Sequence, residues 1–276
     1  MYEKILEIYA YLFAKPSFLR LNRFIFNLSI RGLGIQNYKN FKQTGESKLL
    51  GVVREIYGSG KKLTVLDVGA NRGDYIELIL DKCKDIPVQV FAFEPGLKPF
   101  EYLQSKYSKS NIHLFNVACS EKTGEHFFYT DGGTGEFSSL YSSVFEGSVK
   151  TRVKKTKTKT VRLDDIIRQQ KLKKINLLKI DTEGSEFEIL NGCQKAISDG
   201  AVDIIQFEFN SMNTVNKIFL KDFISLLSNY SLYRLLPNGV IKINVYDPLY
   251  WEIFSFQNFV AVRKDIVKKF EKYYAK

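Results

Sequence analysis

The chain has 276 residues, 45% apolar and 26% charged, which suits one large folded domain with an appendage and excludes a disordered chain. No run approaches the ~18 consecutive apolar residues of a membrane-spanning helix. The formal charge of +11 is uneven, with eleven Lys/Arg against two Asp in residues 150–174 and six against two acids in residues 263–276, so the remainder is near neutral.

Residues 2–14 set Ile5, Ile8, Tyr9 and Leu12 at helical spacing. Glu3 and Glu7 interrupt the apolar run and no small-residue cleavage site follows, so no secretory signal is expected. Pro16 breaks this helix, and a second one reaches about Ser29, ended by Gly32 and Gly34. This aromatic arm could cap the main domain, pair two subunits or lie on a membrane; packing on the domain is the expectation. Residues 46–57 read as another helix, so a helical arm is assigned to residues 1–60.

From Lys62 short β-like runs alternate with helices. Strands are expected at 63–69, 88–95, 112–119, 175–181 and 202–210, with helices at 75–83, 99–107, 163–170, 186–197 and 217–229 between or after them. Further strands are expected at 125–130, near 149–163, near 232–236 and at 256–263, and a loop at the Gly/Ser-rich segment 131–143. Apolar strands alternating with helices imply an α/β domain over 61–264, its mostly parallel sheet covered on both faces. Residues 265–276 are left as a basic C-terminal helix or tail. Cys83, Cys119 and Cys193 form no CxxC pair and read as reduced, buried thiols of a cytoplasmic protein.

Chemistry concentrates where strands end. In VLDVGANRG (65–73) a buried strand runs into a G-x-x-x-G turn. Gly69 and Gly73 let the backbone approach a ligand, and the following helix offers free amides to a carboxylate. Asn71 stands where a dinucleotide fingerprint would have its middle glycine. Asp67, just before the turn, suits a ligand amino group. The second strand ends in Glu94, which can accept both hydroxyls of a ribose or cap the next helix. The third ends in Asn116, Val117 and Ala118, where an adenine ring would lie. The fourth ends in Asp181, Glu183 and Glu186, with Ser185 and Glu188 at the spacing of a capping box. Glu208 and Asn210 end the fifth. Asp181, Glu208 and Asn210 could form an oxygen-rich site for a hard divalent cation.

These stretches, with FAFEPGLKPFEYL, NVACSEKTG, SSLY, VRLDDI and LLKIDTEGSEFEILNG followed by IIQFEFN, resemble the FkbM family of methyltransferases over about residues 62–262. The resemblance implies a Rossmann-like class I methyltransferase fold with a seven-stranded sheet. It implies S-adenosylmethionine as donor and O-methylation, often of a sugar in a glycan or natural product. Asp67, Gly69 and Glu94 correspond to the family's donor-binding positions, and Asp181, Glu183 and Glu186 to its acidic signature. Asn71, Gly73, Asn116, Val117, Ala118 and Asp181 are added here as donor contacts. Asp181, Glu183 and Glu208 are the candidates for taking the acceptor's proton, directly or through a bound ion. His113 and His126 fall within strands and read as structural.

A nicotinamide-dependent sugar-modifying enzyme shares the fold but is disfavoured by Asn71 and by the lack of a Tyr-x-x-x-Lys. An RNA methyltransferase would use the positive charge, yet no RNA-binding module is present and the basic stretches lack stacking aromatics. A small-molecule or glycan substrate is therefore expected and nucleic acid is not. The basic segments read as solvated surfaces, with peripheral attachment to the inner face of a membrane as the alternative.

Overall fold

The structure is a computed structural model describing residues 1–58, 60, 62–107, 111–131, 138–139 and 153–275. Most of the Gly/Ser-rich segment 131–143, and the start of the basic segment 150–174, lie outside the described residues.

The strands are β1 (Leu63–Val68), β2 (Val88–Phe93), β3 (Ile112–Phe115), β4 (Ala118–Cys119), β5 (Gly124–Asp131), β6 (Ser138–Ser139), β7 (Val153–Val161), β8 (Ile175–Ile180), β9 (Val202–Phe209), β10 (Tyr230–Leu236), β11 (Gly239–Lys242) and β12 (Gln257–Arg263). The main sheet has the order β11-β10-β12-β9-β8-β1-β2-β3. β3, β2, β1, β8 and β9 are mutually parallel, and β12 runs antiparallel between β9 and β10. This is the expected Rossmann-like methyltransferase sheet of seven strands, widened by the edge strand β11. A smaller sheet, β4-β7-β5-β6, takes up the additional strands expected around 125–130 and 149–163.

The helices are α1 (Tyr2–Phe13), α2 (Leu19–Gly32), α3 (Glu46–Tyr57), α4 (Asp74–Lys82), α5 (Leu97–Lys106), α6 (Leu163–Gln169), α7 (Glu186–Asn191), α8 (Gln194–Ser198), α9 (Met212–Val215), α10 (Leu220–Leu226), α11 (Pro248–Trp251) and α12 (Val267–Tyr274). Alternate residues of each strand point to opposite faces, and both faces are covered. Leu63, Val65, Leu177 and Ile204 join a core with α3, α4 and α12. Leu66, Leu178, Ile205 and Phe207 join the other with α6, α7, α8 and α10. Every residue of β1, β8 and β9 is buried, which is why these strands read as near-continuous apolar runs.

Two terminal segments differ from expectation. α3, assigned by sequence to the arm, packs five apolar side chains into the sheet core beside Phe270 and Tyr274 of α12. α1 and α2 do the opposite. α1 buries no residue and α2 buries only Ile30, so these two helices meet the domain only at their base. Amphipathic spacing makes these segments helical but does not choose a partner for their apolar face.

Candidate active site

The strand order reverses between β1 and β8, and ligands of open α/β sheets bind at the carboxyl ends of strands beside such a point. One row below that edge, three polar residues lie in register across the centre of the sheet: Asp67 pairs with Lys179, and Lys179 with Gln206. All three are buried. Lys179 Nζ lies 3.0 Å from Asp181 Oδ2, 3.6 Å from Asp67 Oδ1 and 4.7 Å from the centroid of the Tyr75 ring. Tyr75 Oη donates to Gln206 Oε1 at 3.0 Å, and Gln206 Nε2 donates to Glu46 Oε1 at 2.7 Å. Helices α3 and α4 thus bring Glu46 and Tyr75 down onto the row. Burial opposes the charge on Lys179, but the carboxylates of Asp181, Asp67 and Glu46 outweigh it and hold the ammonium protonated.

Asp67 is fully enclosed and both its carboxylate oxygens lack a hydrogen-bond partner. Burial pushes its carboxyl up against the pull of Lys179. It does not line the cavity above; Lys179 and Asp181 do. Asp67 therefore acts from behind the wall rather than on it.

The turn after β1 forms one wall. Gly69 has φ +86°, and a β-carbon there would run into the carbonyl oxygen of Asp181, so only glycine fits. Asn71 has φ +45° and its N–H donates to Glu94 Oε2 at 2.8 Å. The Gly96 N–H donates to Glu94 Oε1 at 2.7 Å. Glu94 thus braces the turn and the entry to α5 while facing the cavity. Burial pushes its carboxyl up to about 7, against those two N–H donors. Gly73 does not line the cavity; a β-carbon there would crowd Leu103 and Tyr107, so it serves helix packing. Asn116 Nδ2 donates to the carbonyl oxygens of Glu94 and Pro95 at 2.9 and 3.2 Å and fixes that bend. Val117 and Ala118 line a small annex with Cys119, Pro95 and Phe128. The annex and the main cavity share Gly69, Pro95, Phe128 and Thr182.

The loop after β8 forms the opposite wall. Glu186 accepts from the Thr182 N–H at 2.9 Å and the Gly184 N–H at 3.0 Å. These bonds hold Glu183 at φ +54°, a strained setting for a side-chain-bearing residue. The capping box read at Ser185 and Glu188 does not form: the Ser185 hydroxyl makes no cap hydrogen bond and has no partner. Burial, then the charges of Asp181 and Glu186, push Glu183 up to about 7. Asp181 goes the other way. Burial alone would raise it, but the Lys179 ammonium and hydrogen bonds from Lys179 and Glu208 hold it below the usual carboxylate range. Burial and the negative charge of Asp181 drive Glu208, behind it, well above that range. Neighbouring carboxyls are thereby split into an ionised and a protonated member.

The structure unites Gly69, Asn71, Glu94, Asp181 and Glu183 around one cavity of about 440 Å³, within the size range of small-molecule sites. Asp67, Gly73, Asn116 and Glu208 stand behind its walls. The divalent-cation site expected from Asp181, Glu208 and Asn210 is not formed. Asn210 Oδ1 accepts from the Met212 N–H at 2.8 Å, Asn210 Nδ2 donates to Glu208, and the ammonium of Lys179 already faces Asp181. Among the described residues no group of three or more His, Cys, Asp or Glu is arranged to hold a metal. His113 stacks on Phe91 and bonds Gln89; neither it nor His126 lines the cavity. Sequence reasoning missed Lys179, Tyr75, Arg72, Phe41 and Phe128 as cavity residues. Only Lys179 left a signal, a lone cation in the apolar run INLLKI.

The profile of the Methyltransferase FkbM domain matches residues 67–231. Among curated proteins the chain is similar to the 2-O-methyltransferase NoeI of Sinorhizobium fredii (strain NBRC 101917 / NGR234), 25% identical over 196 residues covering 64% of this chain and 75% of that protein. Among solved structures it is similar to a methyltransferase FkbM from Methylobacillus flagellatus KT (TM-score 0.46, 16% identity, 77% of this chain and 47% of that one). The chain thus spans about half the length of that structure's chain. It is also similar to Aeropyrum pernix fibrillarin with natively bound S-adenosyl-L-methionine (TM-score 0.42, 10% identity, 80% of this chain and 76% of that one).

Proposed function

The chain belongs to the FkbM-domain methyltransferase family, and from that premise we propose that it moves a methyl group from S-adenosylmethionine to a hydroxyl oxygen of a saccharide in a glycan or natural product. The observation that carries this reading is the cavity whose walls are the Gly69–Asn71 turn, Glu94 and the Asp181–Glu183 loop. A donor with a ribose, an adenine and an amino-acid tail fits these residues. Each Glu94 oxygen gives one lone pair to a backbone N–H and retains another for a ribose hydroxyl. The turn at Gly69, bare of a β-carbon, and the start of α4 suit the tail's carboxylate. Asp181, which lines the cavity, supplies negative charge for the tail's ammonium. Val117 and Ala118, in the small annex adjoining the cavity, offer an apolar border to one edge of the flat adenine.

When bound, the donor supplies a reactive methyl on a positively charged sulfur. The protein's part is alignment and removal of the acceptor's proton. Glu183 suits that task best: it faces the cavity, and its carboxyl sits near 7 because of burial and the charge of Asp181. A base with that affinity is available at neutral pH yet still pulls on a proton. Asp181, pinned by Lys179, remains a fixed anion. The relative named a 2-O-methyltransferase supports oxygen as the methylated atom.

Titration calorimetry with S-adenosylmethionine and, separately, NAD tests the donor; heat with NAD alone would defeat the reading. Incubation with methyl-labelled donor and saccharide acceptors tests the acceptor. The expected product is a methyl ether that survives mild base, whereas a base-labile ester would point to a carboxyl acceptor. Comparing surface glycans by mass spectrometry with and without the gene would then locate the lost methyl.

A further inference from the structure

The N-terminal arm leaves apolar stripes without a partner in the fold. In α1, Ile5, Ile8 and Leu12 recur at helical spacing and are exposed, Ile5 at 59%. In α2, Leu21, Phe24 and Leu28 do the same, with Phe24 at 60%. The two helices nevertheless have a defined joint. Tyr9 Oη donates to Asn22 Oδ1 at 2.6 Å, Asn22 Nδ2 donates to the Phe13 carbonyl at 2.9 Å, and Phe13 meets Phe18 edge-on. The base is equally fixed. Ile30 and Ile35 are buried, the Gln36 N–H donates to the Phe256 carbonyl at 2.8 Å, and Gln36 Nε2 donates to Ser255 Oγ at 3.1 Å. The arm is a shaped, rooted hairpin with its apolar surface outside, which marks an interaction site.

Charge says what it meets. α2 holds Arg20, Arg23 and Arg31 and no acid, and Lys15 precedes it. Arg20 and Arg23 form no ion pair among the described residues. Facing a second copy, the five Lys/Arg of residues 1–32 would find only Glu3 and Glu7, whereas an anionic headgroup layer complements them all. Spanning is ruled out by length. The 14 residues of α2 reach about 21 Å, short of the ~30 Å hydrocarbon core, and no helix among the described residues is long and apolar enough to cross a membrane.

We propose that the α1–α2 hairpin lies flat on a bilayer bearing anionic lipids, its apolar stripes sunk below the headgroups and its arginines among the phosphates. The root adds a direction. Ser255 and Phe256 lead into β12, whose first residue Gln257 pairs with Phe209 at the carboxyl end of β9. The hairpin therefore springs from the sheet edge that also carries Glu208 and Asp181.

The test is flotation of the full chain with vesicles of phosphatidylcholine alone or doped with phosphatidylglycerol. The expected result is flotation with the doped vesicles, weakened by salt, and little with the neutral ones. The triple variant I8E/F24E/L28E changes only exposed positions. It should keep the thermal midpoint and lose vesicle affinity by about tenfold or more. R20Q/R23Q should weaken binding to doped vesicles by roughly 20–30-fold, about fivefold for each cation. Absence of flotation overturns the proposal, as does equal binding to both vesicle types. A dimer in light scattering that the triple variant splits, without flotation, also overturns it and assigns the face to a second copy.

Discussion

At the ends of β1 and β2 the cavity wall is mostly backbone, while at the ends of β8 and β9 it is carboxyl groups set on a buried ammonium. The first half works by shape: positive-φ residues at Gly69 and Asn71, and N–H groups shared with Glu94. The second works by charge: Lys179 between Asp67 and Asp181, with Glu183 and Glu208 pushed upward by their neighbour. Shape suits a donor that is always the same molecule. Charge suits the step in which a proton must leave an acceptor. The contrast implies that substitutions in the two halves fail in different assays.

The largest effect is expected at the centre of the charged half. Lys179→Met leaves Asp67 and Asp181 without their cation, and a stranded buried charge costs about 3–5 kcal/mol. Chemical denaturation should register that loss; an unchanged midpoint would mean the carboxyls simply take up protons. If Glu183 is the proposed base, Glu183→Gln should lower turnover by about 10²–10⁴-fold while calorimetry finds donor affinity unchanged. Loss of donor binding instead would erase the division between the halves.

Gly69→Ala sharpens the comparison from the other side. Forcing a β-carbon onto the Asp181 carbonyl, at a φ that alanine resists, should cost about 2 kcal/mol or more of stability and abolish donor heat. The pH profile comes next. As the proposed base, Glu183 would work only when ionised, and burial and the charge of Asp181 raise its carboxyl to about 7. Turnover at saturating donor should therefore climb about tenfold per unit below that value and level off above it; a profile falling through the same range would exclude Glu183 as base. The smallest effect is predicted for Ser185→Ala. Its hydroxyl is buried without a partner, so deletion should change stability by no more than about 0.5 kcal/mol. A loss near 1–2 kcal/mol would mean that it caps α7 after all.

Much of the first half was legible in the sequence because its parts are contiguous. A buried strand, a G-x-x-x-G turn and a helix follow one another within residues 63–82, and Glu94 closes the next strand. The charged half was legible only at its rim. Asp181, Glu183 and Glu208 stand at strand ends, where polar residues are conspicuous. The network beneath them is not local: Glu46 meets Gln206 across 160 positions and Tyr75 meets the same residue across 131. Periodicity cannot reveal such pairs, since they depend on which helix lies over which strand. Glu46 was assigned with the arm for that reason. The expected ion site failed on a related point, because the sequence of strand ends does not say that Lys179 reaches Asp181 first. The hairpin of α1 and α2 exposes the remaining limit. Its apolar spacing fixed the secondary structure and left its neighbour undecided.

The contact between Gly69 and Asp181 constrains traffic through the site. The Asp181 N–H donates to the Val68 carbonyl at 3.0 Å, and its own carbonyl occupies the space a Gly69 side chain would need. The two loops are rungs of one ladder, so a hinge opening one would drag the other with it.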